Sequence, residues 1–387
     1  MIAAPIRLAI GGALCLAAAM GIGRFVYTPI LPFMVENVPL APSQAGLIAA
    51  ANFLGYLVGA LAGSFGHLPG SKRNWMLGAL FASAVTSAAM ALGSGLVVFC
   101  LLRFLGGFAS AFVLVFASSL VLEDLARAGR ANLSALYFSG VGCGIALSAV
   151  LIAALSHSAV GWQGLWLASA GTTLLLLLAS ALLVIKEAPP EVSSSQTAAA
   201  QTEVETRQPA ALYRLIAAYA LFGFGYVITM TFISVIVRED PALSGLEEIV
   251  WLVVGLAAAP SILFWNKIAS RTSASMAFSI ACIAEALGVA LSVSGGGAMI
   301  ILLSAALVGA TFMGITALGL MEARKLSTGD PRRILAIMTA SFGLGQVIGP
   351  WLAGYLHDMT GSFQSASFAA AISLIIAAGL SFRRKAR

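Results

Sequence analysis

Runs of about 20 apolar residues, separated by short polar punctuation, recur from one end of the chain to the other. Each run has the length a helix needs to cross the roughly 30 Å hydrocarbon layer of a bilayer. The pattern predicts spans over residues 8–35, 44–66, 74–94, 96–122, 132–156 and 162–185, and then over 211–237, 246–266, 273–293, 298–321, 333–357 and 363–382. Gly, Ala and Ser are frequent inside them, as in closely packed membrane helices. Residues 186–210 break the rhythm, being rich in Ser, Thr, Ala and Glu and lacking large aromatics. Such a stretch cannot bury enough apolar surface to order itself. It predicts a flexible linker between one six-helix bundle over 1–185 and a second over 211–387.

Composition turns that pattern into a membrane assignment. Of the 387 residues 60% are hydrophobic and 9% charged, against about a quarter charged in soluble domains. Most of the outer surface must therefore face lipid. The fold class expected is all-α integral membrane, with twelve transmembrane helices. The net charge of +6 alone would suggest a nucleic-acid partner, but its distribution opposes that reading. With the amino terminus inside, 18 of the 21 Lys and Arg fall in cytoplasmic segments. Arg24 and Arg103 lie within spans, and Arg238 is left outside beside Glu239 and Asp240. Both termini are thus expected to be cytoplasmic, and no nucleic acid is implied. The first apolar run is too long for a cleavable signal peptide. Cys15, Cys100, Cys143 and Cys282 sit in apolar runs without metal-ligand spacing, so neither metal nor cofactor is expected.

The two halves repeat each other. Gly21-Ile22-Gly23-Arg24-Phe25-Val26-Tyr27-Thr28 in the first span matches Gly223-Phe224-Gly225-Tyr226-Val227-Ile228-Thr229 in the seventh, at an offset of 202. Leu122-Glu123 with Arg127 resembles Met321-Glu322 with Arg324 and Lys325, offset by about 199. Gly140-Val141-Gly142 matches Gly343-Leu344-Gly345, offset by 203. Three pairings in order at nearly constant offset imply parallel repeats about an axis along the membrane normal.

At these residues the chain resembles the major facilitator superfamily. After the second span, Gly63-Ser64-Phe65-Gly66-His67-Leu68-Pro69-Gly70-Ser71-Lys72-Arg73 resembles that family's Gly-x-x-x-Asp-Arg-x-Gly-Arg-Arg motif, with His67 in the aspartate's place. Arg103 to Gly107 resembles its Arg-x-x-x-Gly. Gly345-Gln346-Val347-Ile348-Gly349-Pro350-Trp351-Leu352-Ala353-Gly354 is similar to the antiporter motif of span 5, although here it stands in span 11. The opening from Gly21 to Met34, with Pro29 and Pro32, resembles the bacterial YbfB/YjiJ-type branch. The resemblance implies two pseudo-symmetric six-helix bundles and a secondary transporter in the bacterial inner membrane. It also implies rocker-switch alternating access, acting as a monomer on a small-molecule substrate, with a proton as a candidate coupling ion.

Few polar groups inside spans are available for chemistry. Arg24, Arg103 and Glu285 are the charges well inside, and an Arg at mid-bilayer costs roughly 2.5–3.5 kcal/mol on insertion scales. Arg24 would share a helix face with Tyr27 and Thr28, on a helix bent by Pro29 and Pro32, opposite Tyr226. A guanidinium among hydroxyls suits a carboxylate, which makes an organic anion the leading substrate class. The bland alternative is that Arg24 snorkels or bonds freed carbonyls. Asn52, Tyr56, Arg103, Tyr137, Thr229 and Gln346 are further candidates for lining the site, and Arg103 and Glu285 for coupling. Each could instead be held between helices. Gly55, Gly59, Gly345, Gly349 and Pro350 are assigned to close helix packing where the halves move, and Glu123, Arg127, Glu322 and Arg324 to an inner gate. The rival reading is efflux of apolar or cationic compounds past Met230, Phe232, Phe312 and Met313. An enzyme is disfavoured, since the sequence offers no nucleophile–base pair, metal cluster or phosphate loop.

Overall fold

The computed structural model describes residues 4–65, 69–156, 158–184, 209–327 and 331–382. His67 and nearly all of the 186–210 linker lie outside these described residues. The first half comprises α1 (Ala4–Leu16), α2 (Tyr27–Asn37), α3 (Pro42–Phe65), α4 (Lys72–Met90), α5 (Leu96–Arg127), α6 (Ser134–Ser156) and α7 (Gly161–Leu183). The second comprises α8 (Pro209–Glu239), α9 (Glu247–Ala258), α10 (Ser261–Arg271), α11 (Ala274–Leu291), α12 (Gly297–Leu326), α13 (Pro331–Thr360) and α14 (Gln364–Ser381). Among the described residues no strand is present.

Two spans are broken helices, so these fourteen helices fit twelve crossings. Helices α9 and α10 meet at Pro260 with a bend of 43° and together form the eighth span. Ten described segments are long and apolar enough to cross alone, and the bent pair makes an eleventh. The remaining one, α4, has 19 residues but opens on Lys72, Arg73 and Asn74, which dilute its apolar character. An even number of crossings puts Ala4 and Phe382 on one face, called here the near face. The outward surfaces carry large apolar side chains such as Leu175, Leu182, Leu256 and Ile372, as lipid contact requires.

The break in the first span lies upstream of its prolines, contrary to the expected bend at Pro29 and Pro32. A π-helical turn over Ala17–Ile22 loosens the helix. Gly23 and Phe25 N–H donate five residues back, to Ala18 and Met20, before α2 restarts at Tyr27. Pro29 then falls in the first turn of α2, where its missing N–H costs nothing. The π turn, not proline, unwinds this span.

Across the halves, α3 packs along α13, α6 against α9 and α10, and α2 against α8 and α9. Glycines allow these approaches. A β-carbon at Gly46 would overlap the Pro350 carbonyl, one at Gly354 the Pro42 carbonyl, and one at Gly142 the Ala259 nitrogen. The glycines singled out from sequence do serve close packing, but mostly within a half. Gly55 and Gly59 seat α3 on the α5 backbone at Phe104 and Phe108, while Gly345 and Gly349 seat α13 on α8. Pro350 does stand at the contact between halves.

Candidate functional site

Where the halves meet, the Arg24 side chain is buried, 4% exposed. Its Nη2 donates to Gln346 Oε1 of α13 at 2.9 Å, and the Gln346 amide nitrogen donates to the Tyr226 hydroxyl of α8. A chain of contacts thus joins Arg24 to Tyr226, the residue at the matching position of the other repeat. The guanidinium lies 4.0 Å from the centre of the Tyr56 ring, 4.8 Å from Phe53 and 5.4 Å from Phe25. Rings at these distances attract a cation. Its Nε is buried with no hydrogen-bond partner among the described residues. No carboxylate lies in ion-pair contact with Arg24 among them.

A second aromatic group adjoins from the other half. The Tyr226 ring is nearly parallel to those of Phe312 and Phe342, with interplanar angles of 2° and 5° and centroids 5.8 and 5.7 Å away. Phe25 meets Phe312 edge-on at 6.1 Å, which closes the cluster across the halves. Of these rings the sequence singles out Tyr226 for the site and Phe312 for efflux, but neither Phe25 nor Phe342. Phe232 packs instead on Phe363, away from this cluster.

Arg103 supports the site from behind. Its Nη1 and Nη2 donate to the carbonyls of Gly23 and Arg24 at 3.0 and 2.7 Å, oxygens that the broken helix leaves free. Tyr27 and Trp166 flank it at 5.2 and 5.7 Å. Asn52 donates in turn to the Arg103 carbonyl at 2.9 Å, so it ties α3 to α5 rather than meeting Arg24. Arg103→Lys keeps the charge but loses the two-pronged brace. Its unfolding midpoint in detergent is expected to fall by an amount equivalent to about 1–3 kcal/mol. An unchanged midpoint would remove the bracing role.

The remaining candidates separate. Tyr27 donates to the Ala45 carbonyl at 3.0 Å and Thr28 to the Met230 carbonyl at 2.6 Å. Neither joins Arg24 as helical spacing predicts, because the irregular residues 23–26 rotate the chain between them. Tyr137 shares a hydrogen bond with Ser118 inside the first half at 2.9 Å. Thr229 is buried one turn from Tyr226, its hydroxyl without a partner among the described residues. Glu285 is fully buried within the second half, both oxygens likewise unpartnered. At the near face, Glu123 pairs with Lys72 at 3.1 Å and Arg127 with Asp124 at 2.5 Å, all in the first half. Glu322 and Arg324 end α12 on the same face.

Charged contacts across the halves are present at the far face. Arg238 Nη1 donates to Glu36 of the first half at 3.0 Å, and its Nε to Glu247 of its own half at 2.7 Å. The Asp358 carboxylate accepts from the Ser43 amide at 3.3 Å, where α3 begins. Thr28 with Met230, and Glu36 with Arg238, are each separated by 202 residues. The repeat offset read from sequence thus reappears as contact between equivalent positions, as a pseudo-twofold axis between α2 and α8 requires. That offset could have drawn attention to Glu36 and Arg238.

A family profile described as the uncharacterised MFS-type transporter YbfB matches residues 16–382. The chain belongs to this family. No curated protein matched the sequence. Among solved structures, a mutant of the nucleoside transporter NupG aligns with a TM-score of 0.76 and 16% identity, covering 97% of this chain and 98% of that one. NupG without that mutation gives 0.72 and 17%, covering 98% of each. A bacterial homologue of the human lysosomal transporter Spinster, inward-facing and unoccupied, gives 0.67 and 15%, covering 98% and 97%. At these identities the likeness concerns the fold. This member of the major facilitator superfamily is a multi-pass membrane transporter with a small-molecule substrate, and not an enzyme.

Proposed function

We propose that the protein is a secondary transporter of a small organic anion, which binds at Arg24 while the two halves rock about it. The observation that carries this reading is the buried guanidinium with one donor held by Gln346, Nε free, and no carboxylate in contact among the described residues. An Arg kept in a membrane interior without a counter-ion has an energetic cost that a bound anion offsets. The Arg103 guanidinium behind it adds a second positive charge, and so favours an anion further. It also disfavours efflux of cations through the same place. Because Gln346 belongs to the opposite half, an anion that takes over the Arg24 donors would loosen a bond between the halves. Substrate binding and rocking would then be linked through one contact.

The far-face contacts support a state closed on that side. With the near face cytoplasmic, as the basic residues suggest, this state would admit substrate from the cytoplasm. The proposed setting is the bacterial inner membrane, with both termini inside and a monomer as the working unit.

Thermal unfolding of purified protein with organic anions and lipophilic cations side by side tests the reading. At least one small carboxylate is expected to raise the midpoint in a saturable way, as a ligand of the native state must. Stabilisation by cations alone would favour the efflux reading instead.

A further inference from the structure

Two features around Arg24 constrain more than the sign of the substrate's charge. The first is how few charged donors are available. Arg24 offers its unoccupied N–H groups, whereas Arg103 stands behind it with both terminal nitrogens committed to the Gly23 and Arg24 carbonyls. The Arg103 Nε is likewise unpartnered among the described residues. Among the described residues, no Lys ammonium or His ring joins those in contact with either guanidinium. One carboxylate satisfies such a site. A second negative group on the same ligand would be desolvated without a partner.

The second feature is the wall. Phe25, Phe53 and Tyr56 from the first half and Tyr226, Phe312 and Phe342 from the second surround the Arg24–Gln346 contact with flat apolar faces. The near-parallel planes of Tyr226, Phe312 and Phe342 give that wall a common orientation. Flat rings stack in offset fashion on such faces, and a saturated ring of equal size cannot. Hydroxyl-rich solutes would lose water here and regain few hydrogen bonds. The polar groups on hand are Gln346, Tyr56, Tyr226 and the unpartnered Thr229 hydroxyl.

We infer that the substrate is a flat, conjugated monocarboxylate, its single anionic group on Arg24 and its ring among Tyr226, Phe312 and Phe342. This rests on the anion reading above and narrows it. Isothermal titration of the full chain with four probes separates the two. Benzoate is expected to bind on the order of threefold to tenfold more tightly than cyclohexanecarboxylate, the range that aromatic pairing adds beyond area. Terephthalate, a flat dianion, should bind at least tenfold more weakly than benzoate, and neutral benzamide should not bind measurably. In Phe312→Leu the preference for benzoate over cyclohexanecarboxylate should shrink towards parity while carboxylate binding persists. Equal affinity of the two monocarboxylates for the unaltered protein would overturn the ring inference and leave the anion reading standing. Terephthalate binding as tightly as benzoate would overturn the single-charge inference. Benzamide binding as well as benzoate, or no carboxylate binding at all, would remove the anion reading itself.

Discussion

Arg24→Gln is expected to lower affinity for a stabilising carboxylate by at least about 30-fold and yet to yield a folded protein. Removing one partner of a buried, hydrogen-bonded charge pair costs about 2–5 kcal/mol, or roughly 30-fold to several thousandfold in a binding constant. The fold should survive because the glutamine amide is neutral and Gln346 keeps its bond to the Tyr226 hydroxyl. The substitution also removes a charge whose place in the membrane costs about 2.5–3.5 kcal/mol. Without ligand the variant should therefore unfold no earlier than the original protein. Arg24→Lys should fall between the two, since the ammonium keeps the charge but not the planar fork. Titration calorimetry on the three proteins, beside their ligand-free unfolding midpoints, gives the comparison. If the glutamine variant bound the carboxylate undiminished, Arg24 would be a structural residue.

Arg238→Met is expected to have the second largest effect, on how firmly α8 and α9 hold together at the far face. The two ion pairs of Arg238 differ in worth. Glu36 is 55% exposed, so that pair is screened and contributes no more than about 1 kcal/mol. Glu247 is 4% exposed and also accepts from the Gly245 amide, so its carboxylate depends on the guanidinium. Removing that partner from a buried pair costs about 3–5 kcal/mol. Methionine retains apolar contact with Phe33, which now lies 4.2 Å beneath the charge. The loss should thus be felt as electrostatics and not as a cavity. Arg238 and Glu247 both belong to the second half, so Arg238→Met is expected to lower the ligand-free unfolding midpoint by the equivalent of about 3–5 kcal/mol. Glu36→Gln, which breaks the contact between the halves, should lower it by no more than about 1 kcal/mol. Thermal unfolding of the three proteins in detergent gives the comparison. Equal midpoints in all three would show that the Arg238–Glu247 pair does not stabilise the fold.

Spans, repeat and family were legible in the sequence because hydrocarbon is a demanding solvent. It forces apolar runs of fixed length, and it makes each interior charge conspicuous. Arg24, Tyr226 and Gln346 could accordingly be named one by one, and the repeat set the first two opposite each other. What escaped was local geometry. Prolines at 29 and 32 suggested the bend, but the π turn at Ala17–Ile22 makes it through backbone pairing that no residue type announces. The same irregularity carries Tyr27 and Thr28 away from Arg24. Asn52 and Tyr56 share a face of α3, yet one meets α5 and the other Arg24, which spacing alone could not distinguish. Phe25, Phe53 and Phe342 stayed hidden because aromatic residues in a membrane helix are common, and only tertiary contact selects them. Packing glycines were recognisable as such, but whether they faced their own half or the other was not.

The account turns on a ligand anion replacing Gln346 on the Arg24 guanidinium at the meeting of the two halves. The most direct measurement is anomalous diffraction from crystals of the full chain soaked with 4-bromobenzoate. The predicted result is a bromine peak among Tyr226, Phe312 and Phe342, the carboxylate on Arg24, and Gln346 released from it. A peak elsewhere, with Arg24 still bound to Gln346, would contradict it.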